Sequence, residues 1–246
     1  GWQEMPERVD GFAQMHVGGT GGGAKYGNIL ITPFSGTHDS TQHIDYRESE
    51  EVSLGYYASV LKGSGIKTEI SAAEKSSIYR FTYPSEGKKC LSVDAGFFLG
   101  CYTPNHLAGN ETQVLVGSEV QILSETEIIG YSRVRGGWNC GKAYTVYFYL
   151  VSDTPFEITR TWKDGVISDA SYQYDSGKGT GVLVSFPDDA DVVNVKVGIS
   201  HLGCMKARAN VNEEIDHWDL QQTRDELIAK WDAILSKVEL DPMTPE

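Results

Sequence analysis

Two stretches of this sequence combine residue types and spacings that could do chemistry. The first, Gly11–Gly27, reads Gly-Phe-Ala-Gln-Met-His-Val-Gly-Gly-Thr-Gly-Gly-Gly-Ala-Lys-Tyr-Gly, and five of the six residues 18–23 are glycine. A glycine run lets backbone N–H groups come close to whatever lies beside it, and His16 stands just ahead of the run as a polar side chain. It is no P-loop, since no Gly-Lys-Ser/Thr follows, and no dinucleotide fingerprint, since no strand pattern precedes it and no helix pattern follows. The second stretch runs from Tyr131 to Gly141 and carries Trp138 among glycines at a strand end. An aromatic face on such a loop suits stacking on the C–H face of a sugar ring. A structural loop around a hydrogen-bonded histidine and a tryptophan packed at a sandwich edge are the plain alternatives, and both remain open. No G-x-S-x-G motif is present, and no carboxylate pair stands out as an acid/base couple. The densest acidic run, Pro187-Asp188-Asp189-Ala190-Asp191, lacks the spaced ligands of a calcium loop and is expected to be a solvated turn.

The elements that must position these stretches read mostly as strands. Ile66–Ala73 and Ser77–Tyr83 alternate polar and apolar residues as half-buried strands do. Glu51–Leu61, the turn Lys62-Gly63-Ser64-Gly65 and Ile66–Ala73 predict a β-hairpin. Gly27–Pro33, Lys89–Ala95, Thr112–Leu123, Ile128–Val134, Ala143–Val151, Glu157–Trp162, Gly181–Ser185 and Asn194–Ser200 add further strands, separated by turn signals. That rhythm predicts an all-β protein, an antiparallel β-sandwich rather than βαβ units. From Asp219 the pattern turns helical. Asp219 and Gln222 resemble a capping box. Leu220, Leu227, Ile228, Trp231, Ile234, Leu235 and Val238 then fall on one stripe of a helix of about five turns.

Lys plus Arg is 21 against 34 Asp plus Glu, a net charge of −13. That argues against a nucleic-acid partner, whose affinity rests on neutralising phosphates. No apolar run approaches the ~18 residues of a membrane span. The four cysteines, Cys90, Cys101, Cys140 and Cys204, contain no C-x-x-C, so zinc is poorly supported. They allow three disulfide pairings; free buried thiols and a Cys90–Cys101 bridge across a hairpin are both open.

Taken together, these motifs resemble glycoside hydrolase family 92. Gly11–Pro33 is similar to a family segment reading Gly-Phe-Ser-His-Thr-His-Leu-Ser-Gly-Thr-Gly, then Tyr-Gly-Asp-Ile and an apolar strand ending in proline. Ser53–Tyr57 with Gly65–Ile70 looks like the family's hairpin, and Gly137-Trp138 followed by Val146–Phe148 and Pro155-Phe156 looks like its Gly-Trp strand. Ala209-Asn210 through Glu213, Trp218-Asp219, Arg224 and Trp231 looks like its sandwich-to-barrel linker helix.

The resemblance implies a supersandwich-like β-sandwich over residues 1–212, incomplete at its start. It implies a linker helix and tail over 213–246, leading to an (α/α)6 barrel beyond this chain. It further implies an exo-acting, inverting, calcium-dependent α-mannosidase of the bacterial periplasm or exterior. The general acid, general base and calcium ligands would lie mainly in the barrel, so this chain alone holds no catalytic residue and no metal, and is expected to be inactive alone. Its partners would be a mannose-containing glycan and its own C-terminal barrel. By the same resemblance His16 is a polar contact to the glycan, Trp138 or Trp2 an apolar platform, and Gly19 with Gly21 shapes the loop. Where the family has its first histidine this chain has Gln14, while Lys25 and Asn28 replace acidic residues around the Tyr-Gly pair, so the first histidine's contact is lost or altered. The alternative reading is a non-catalytic carbohydrate-binding or purely structural sandwich.

Overall fold

The alternating stretches stack as two antiparallel sheets in the computed structural model, which describes residues 8–15, 26–99, 113–136 and 142–238. In chain order the strands are β1 (Arg8–Val9), β2 (Phe12–Ala13), β3 (Leu30–Phe34), β4 (Asp45–Ser53), β5 (Tyr56–Leu61), β6 (Lys67–Ala72), β7 (Ser76–Thr82), β8 (Cys90–Asp94), β9 (Val114–Ile122), β10 (Glu127–Arg135), β11 (Tyr144–Ser152), β12 (Ile158–Lys163), β13 (Val166–Ser168), β14 (Tyr172–Asp175), β15 (Thr180–Ser185) and β16 (Val192–Ser200). Two helices, α1 (Cys204–Glu214) and α2 (Leu220–Leu235), follow. Among the described residues one sheet has ten strands in the order β1-β4-β5-β6-β7-β16-β11-β10-β9-β14, and the other six, β13-β12-β15-β8-β3-β2. The expected antiparallel sandwich with a C-terminal helix is what forms.

Its core lies between the sheets. Ile31, Leu91, Val93, Val182 and Val184 from the smaller sheet meet Phe81, Val120, Ile128, Phe148 and Val195 from the larger one, all 0% exposed. Every second residue of a strand points to the core; β6 and β7 show that alternation in sequence, whereas β3, β8 and β15 are buried on both faces and read as short runs instead. The stretch Glu51–Leu61 is two strands rather than one. Gly55, with φ +72, turns the chain between β4 and β5, which pair over Arg47–Ser53 and Tyr56–Leu61. The expected turn at 62–65 then joins β5 to β6. Short β1, β2, β13 and β14 went unread because two to four residues carry too little periodicity to register.

The two helices lie on the outer face of the larger sheet. Ala207, Asn210 and Val211 of α1 face inward, and a Cβ on Gly198 of β16 would stand 2.4 Å from the Ala207 carbonyl oxygen. Glycine there allows the close approach of helix to strand. Behind α1, Lys196 Nζ donates to the Ile215 carbonyl at 3.0 Å and sits 4.1 Å from the Trp218 ring centre; burial lowers its pKa. Asp219 caps α2 by accepting from the Gln221 and Gln222 N–H groups. The capping box is half made, since the Gln222 side chain bonds Glu226 instead of reaching back. Leu220 and Thr223 of α2 are buried. Further along the stripe Trp231, Ile234, Leu235 and Val238 are exposed.

The acidic run 187–191 is a turn, as expected, and it holds two lysines. Asp188 pairs with Lys88 at 2.8 Å. Asp191 pairs with Lys89, only 1% exposed, at 2.7 Å. Cys90 and Cys204 are free thiols; Cys101 and Cys140 lie outside the described residues. Gly198→Ala should destabilise the chain by about 1–3 kcal/mol through overpacking against α1, read as a lower urea midpoint. An unchanged midpoint would show that α1 is not tightly seated.

Candidate functional site

The five residues singled out from sequence all fall outside the described residues: His16, Gly19 and Gly21 in 16–25, Trp138 in 137–141, and Trp2 in 1–7. Lys25 does too. What the structure does place is the root of these segments. The chain leaves at Met15 and returns at Tyr26; it leaves again after Gly136 and returns at Lys142, ahead of β11. Residue Tyr26 joins the roots. Its carbonyl accepts from the Leu99 N–H at 2.7 Å, its own N–H donates to Gln113 Oε1 at 3.1 Å, and its ring packs edge-on to Tyr144 at 5.4 Å. The glycine-rich and Gly-Trp segments therefore spring from one end of the sandwich.

This end is held by strained backbone and buried polar groups. Tyr26 (φ 69), Gly27 (φ 58) and Ile29 (φ 63) are all left-handed. For a β-branched residue such as Ile29, 0% exposed, that conformation costs about 1–3 kcal/mol and persists only where surrounding structure over-determines it. At Gly27 no other residue fits, because a Cβ would lie 2.4 Å from the Leu99 side chain. Between them Asn28 is 0% exposed. Its Nδ2 donates to Ser132 Oγ at 3.1 Å, and its Oδ1 accepts from the Tyr144 hydroxyl at 2.9 Å. These bonds tie the approach to β3 to β10 and β11 of the facing sheet. Burial raises the Tyr144 pKa to about 12, so it stays a neutral donor. An acidic residue in place of Asn28 could accept from both hydroxyls; the amide makes the same link without burying a charge.

Gln14 is turned inward. Its backbone N–H donates to the Asn28 carbonyl at 3.1 Å, its side-chain N–H to the Tyr79 hydroxyl, and its Oε1 accepts from Ser77 Oγ at 3.0 Å. Both ends of the amide are occupied, and Tyr79 is only 2% exposed. This position satisfies buried hydroxyls rather than reaching out for a ligand.

Residue Asp94, at the end of β8, was not read from sequence. It accepts from the Gly96 N–H at 2.8 Å, yet burial outweighs this and pushes its pKa up to about 7. Asp94 lines a cleft of about 220 Å³ with Asp10, Thr32, Thr41, His43 and Ser92. Near neutral pH such a carboxyl can both donate to and accept from a polyol. Sequence carries no signal for it, since an aspartate at a strand end is usually solvated. Among the described residues no group of three or more His, Cys, Asp or Glu stands together to hold a metal ion.

The unfolded Asp94 carboxyl ionises near its ordinary 3.8, the folded one near 7. Between those values the folded state holds the extra proton, so this group's contribution to stability falls as pH rises. Asp94→Asn should therefore gain in melting temperature relative to the unaltered chain from pH 4 to pH 8. A difference that does not vary with pH would sink this assignment.

Comparison with known proteins places this architecture. Residues 1–200 match the glycosyl hydrolase family 92 N-terminal domain. No curated protein matches the chain. Among solved structures, the GH92 family glycosyl hydrolase ccman5 superposes with a TM-score of 0.81 at 23% identity, covering 96% of this chain and 31% of that one. The GH92 alpha-mannosidase BT3965 from Bacteroides thetaiotaomicron, in complex with mannoimidazole, gives 0.81 at 23% identity, covering 98% and 32%. The GH92 inverting mannosidase BT2199 from the same organism gives 0.69 at 18% identity, covering 88% and 27%. The chain thus spans about a third of the length of the first two structures. With the family matched over most of its residues and its sandwich shared with these structures, the chain belongs to the glycosyl hydrolase family 92 N-terminal domain family.

Proposed function

We propose that this chain forms one wall of the substrate pocket in a calcium-dependent, inverting exo-α-mannosidase, acting with a C-terminal (α/α)6 catalytic domain in the periplasm or outside the cell. The match of residues 1–200 to the family's N-terminal domain carries this reading. Two features support it. The glycine-rich and Gly-Trp segments share one root around Tyr26 and Tyr144. On α2 the second half of the apolar stripe is uncovered, with Trp231 44% and Leu235 57% exposed, a face suited to packing against a following domain.

In this reading His16 hydrogen-bonds a sugar hydroxyl, Trp138 or Trp2 stacks on a ring face, and Gly19 with Gly21 shapes the loop. The inverting step needs an acid and a base carboxylate about 6.5–9.5 Å apart with water between them. Those groups would come from the C-terminal domain. The described acidic run does not suit calcium, because Asp188 and Asp191 are paired with lysines; the ion too would be held by the other domain.

The test uses the longer protein containing this domain. It should release mannose from α-linked manno-oligosaccharides, lose that activity in chelator and regain it with calcium. His16→Ala should lower kcat/KM by about 10–100-fold through a lost hydrogen bond, and Trp138→Ala by about tenfold. No mannose release under any condition would end the enzyme reading. Release with both variants unchanged would reduce this domain to a scaffold.

A further inference from the structure

A row of tyrosines lies on the outer face of the larger sheet, on the opposite side from Tyr144. Along β11 inward and outward residues alternate: Val146 and Phe148 are buried, and Tyr147 between them faces out. The register places Tyr131 of β10 beside Tyr147 of β11 and beside Glu119 of β9. On the other side of Glu119 stands Tyr174 of β14, with Tyr172 two residues earlier on the same face. Four adjacent strands thus carry Tyr174, Glu119, Tyr131 and Tyr147 in a line. At about 4.8 Å per strand the line is about 14 Å long.

The rings and the carboxylate form one cluster. Tyr131 and Tyr147 meet edge to face at 5.7 Å. The Tyr172 hydroxyl lies 3.3 Å from Glu119 Oε2. Tyr131 lies over Gly117, where a Cβ would stand 3.6 Å from its ring. Tyr172 is 48% and Tyr174 46% exposed. The inward residue between them, Gln173, bonds Thr161 and Ser168 of the other sheet, which fixes which way the two rings point.

We propose that this tyrosine row is a binding surface for an extended polysaccharide chain, with ring faces taking successive sugars and Glu119 accepting from their hydroxyls. The carboxylate favours a sugar over a protein partner. A dry protein contact would bury Glu119 and would have to supply a cation for it, whereas a glycan satisfies it with hydroxyls and leaves the site wet. Clustered aromatics on a sheet face mark interaction surfaces in general, and tyrosine offers an apolar face with a hydrogen-bonding edge. The proposal goes beyond the pocket reading and does not rest on it.

Native gels cast with soluble α-mannan, β-mannan, xylan or mixed-linkage glucan test it, with the chain and an inert protein run side by side. The chain should be retarded by at least one polymer. Tyr131→Ala and Tyr174→Ala should each weaken that retardation about tenfold. Glu119→Gln should weaken it less, and all three should keep the parent melting temperature within a few degrees. Tyr174 sits on an edge strand, so its replacement gives a folded control even if Tyr131→Ala unfolds. Absence of retardation by all four polymers overturns the proposal, as does retardation unchanged in the Tyr174 variant. So does self-association of the chain that Tyr174→Ala abolishes, which would make this face a protein interface. Mannose release by the longer protein is a separate readout, so the two readings can fail independently.

Discussion

A fully buried amide is the constraint on which the site end of this domain depends. Asn28 reaches from the approach to β3 across the sandwich to Ser132 and Tyr144 of the opposite sheet. Left unpaired, such a group costs several kcal/mol in an apolar interior. Satisfied, it fixes the spacing of the two sheets at the end where the glycine-rich and Gly-Trp segments begin. The left-handed Ile29 follows from the same demand. Turning Asn28 inward while Ile29 and Ile31 reach the core takes a backbone path that an isolated β-branched residue avoids. Tertiary bonds impose it.

A second set of buried polar groups holds the outer layer. Lys196 lies between the Ile215 carbonyl and the Trp218 ring, and so anchors the connection between α1 and α2 to β16. Lys89 plays a similar part at the other sheet, clamped by Asp191. Both cases place a long alkyl stem among apolar neighbours and give the charged end a specific partner. The chain is strongly acidic, and Asp188 and Asp191 pair with lysines while remaining 72% and 59% exposed. Glu119 differs, half-buried among tyrosines and accepting from the Tyr172 hydroxyl.

Much of the sandwich was legible. Strands with five or more alternating residues, such as β6, β7, β10 and β16, showed their period directly. The N-cap of α2 did so too, through Asp219. Helix α1 was legible only as part of a likeness to known linkers, because its buried face is Ala207, Asn210 and Val211, too small and too mixed to make a stripe. The β4–β5 turn was hidden because Ser53–Tyr57 reads as continuous strand until Gly55 takes positive φ. Of the site, the motif positions could be named from sequence, but their surroundings could not. Gln14 looked like an altered ligand contact and proves to be occupied by Tyr79 and Ser77. Asp94 looked ordinary and proves to be a carboxyl that protonates near neutrality.

By itself the sequence determined the class of fold, the Asp219 cap of α2, the turn at 62–65, and the family likeness of its motifs. These are written in local periodicity and in residues such as glycine and proline, whose backbone preferences act over a few positions. The tertiary structure alone decided which polar groups are dry, which tyrosines line up across four strands, and that Tyr26 and Tyr144 meet at one end of the sandwich. Those properties arise between residues on different strands, 104 positions apart in the case of Asn28 and Ser132. Desolvation and strand register depend on what packs alongside, and no local pattern in the chain encodes that.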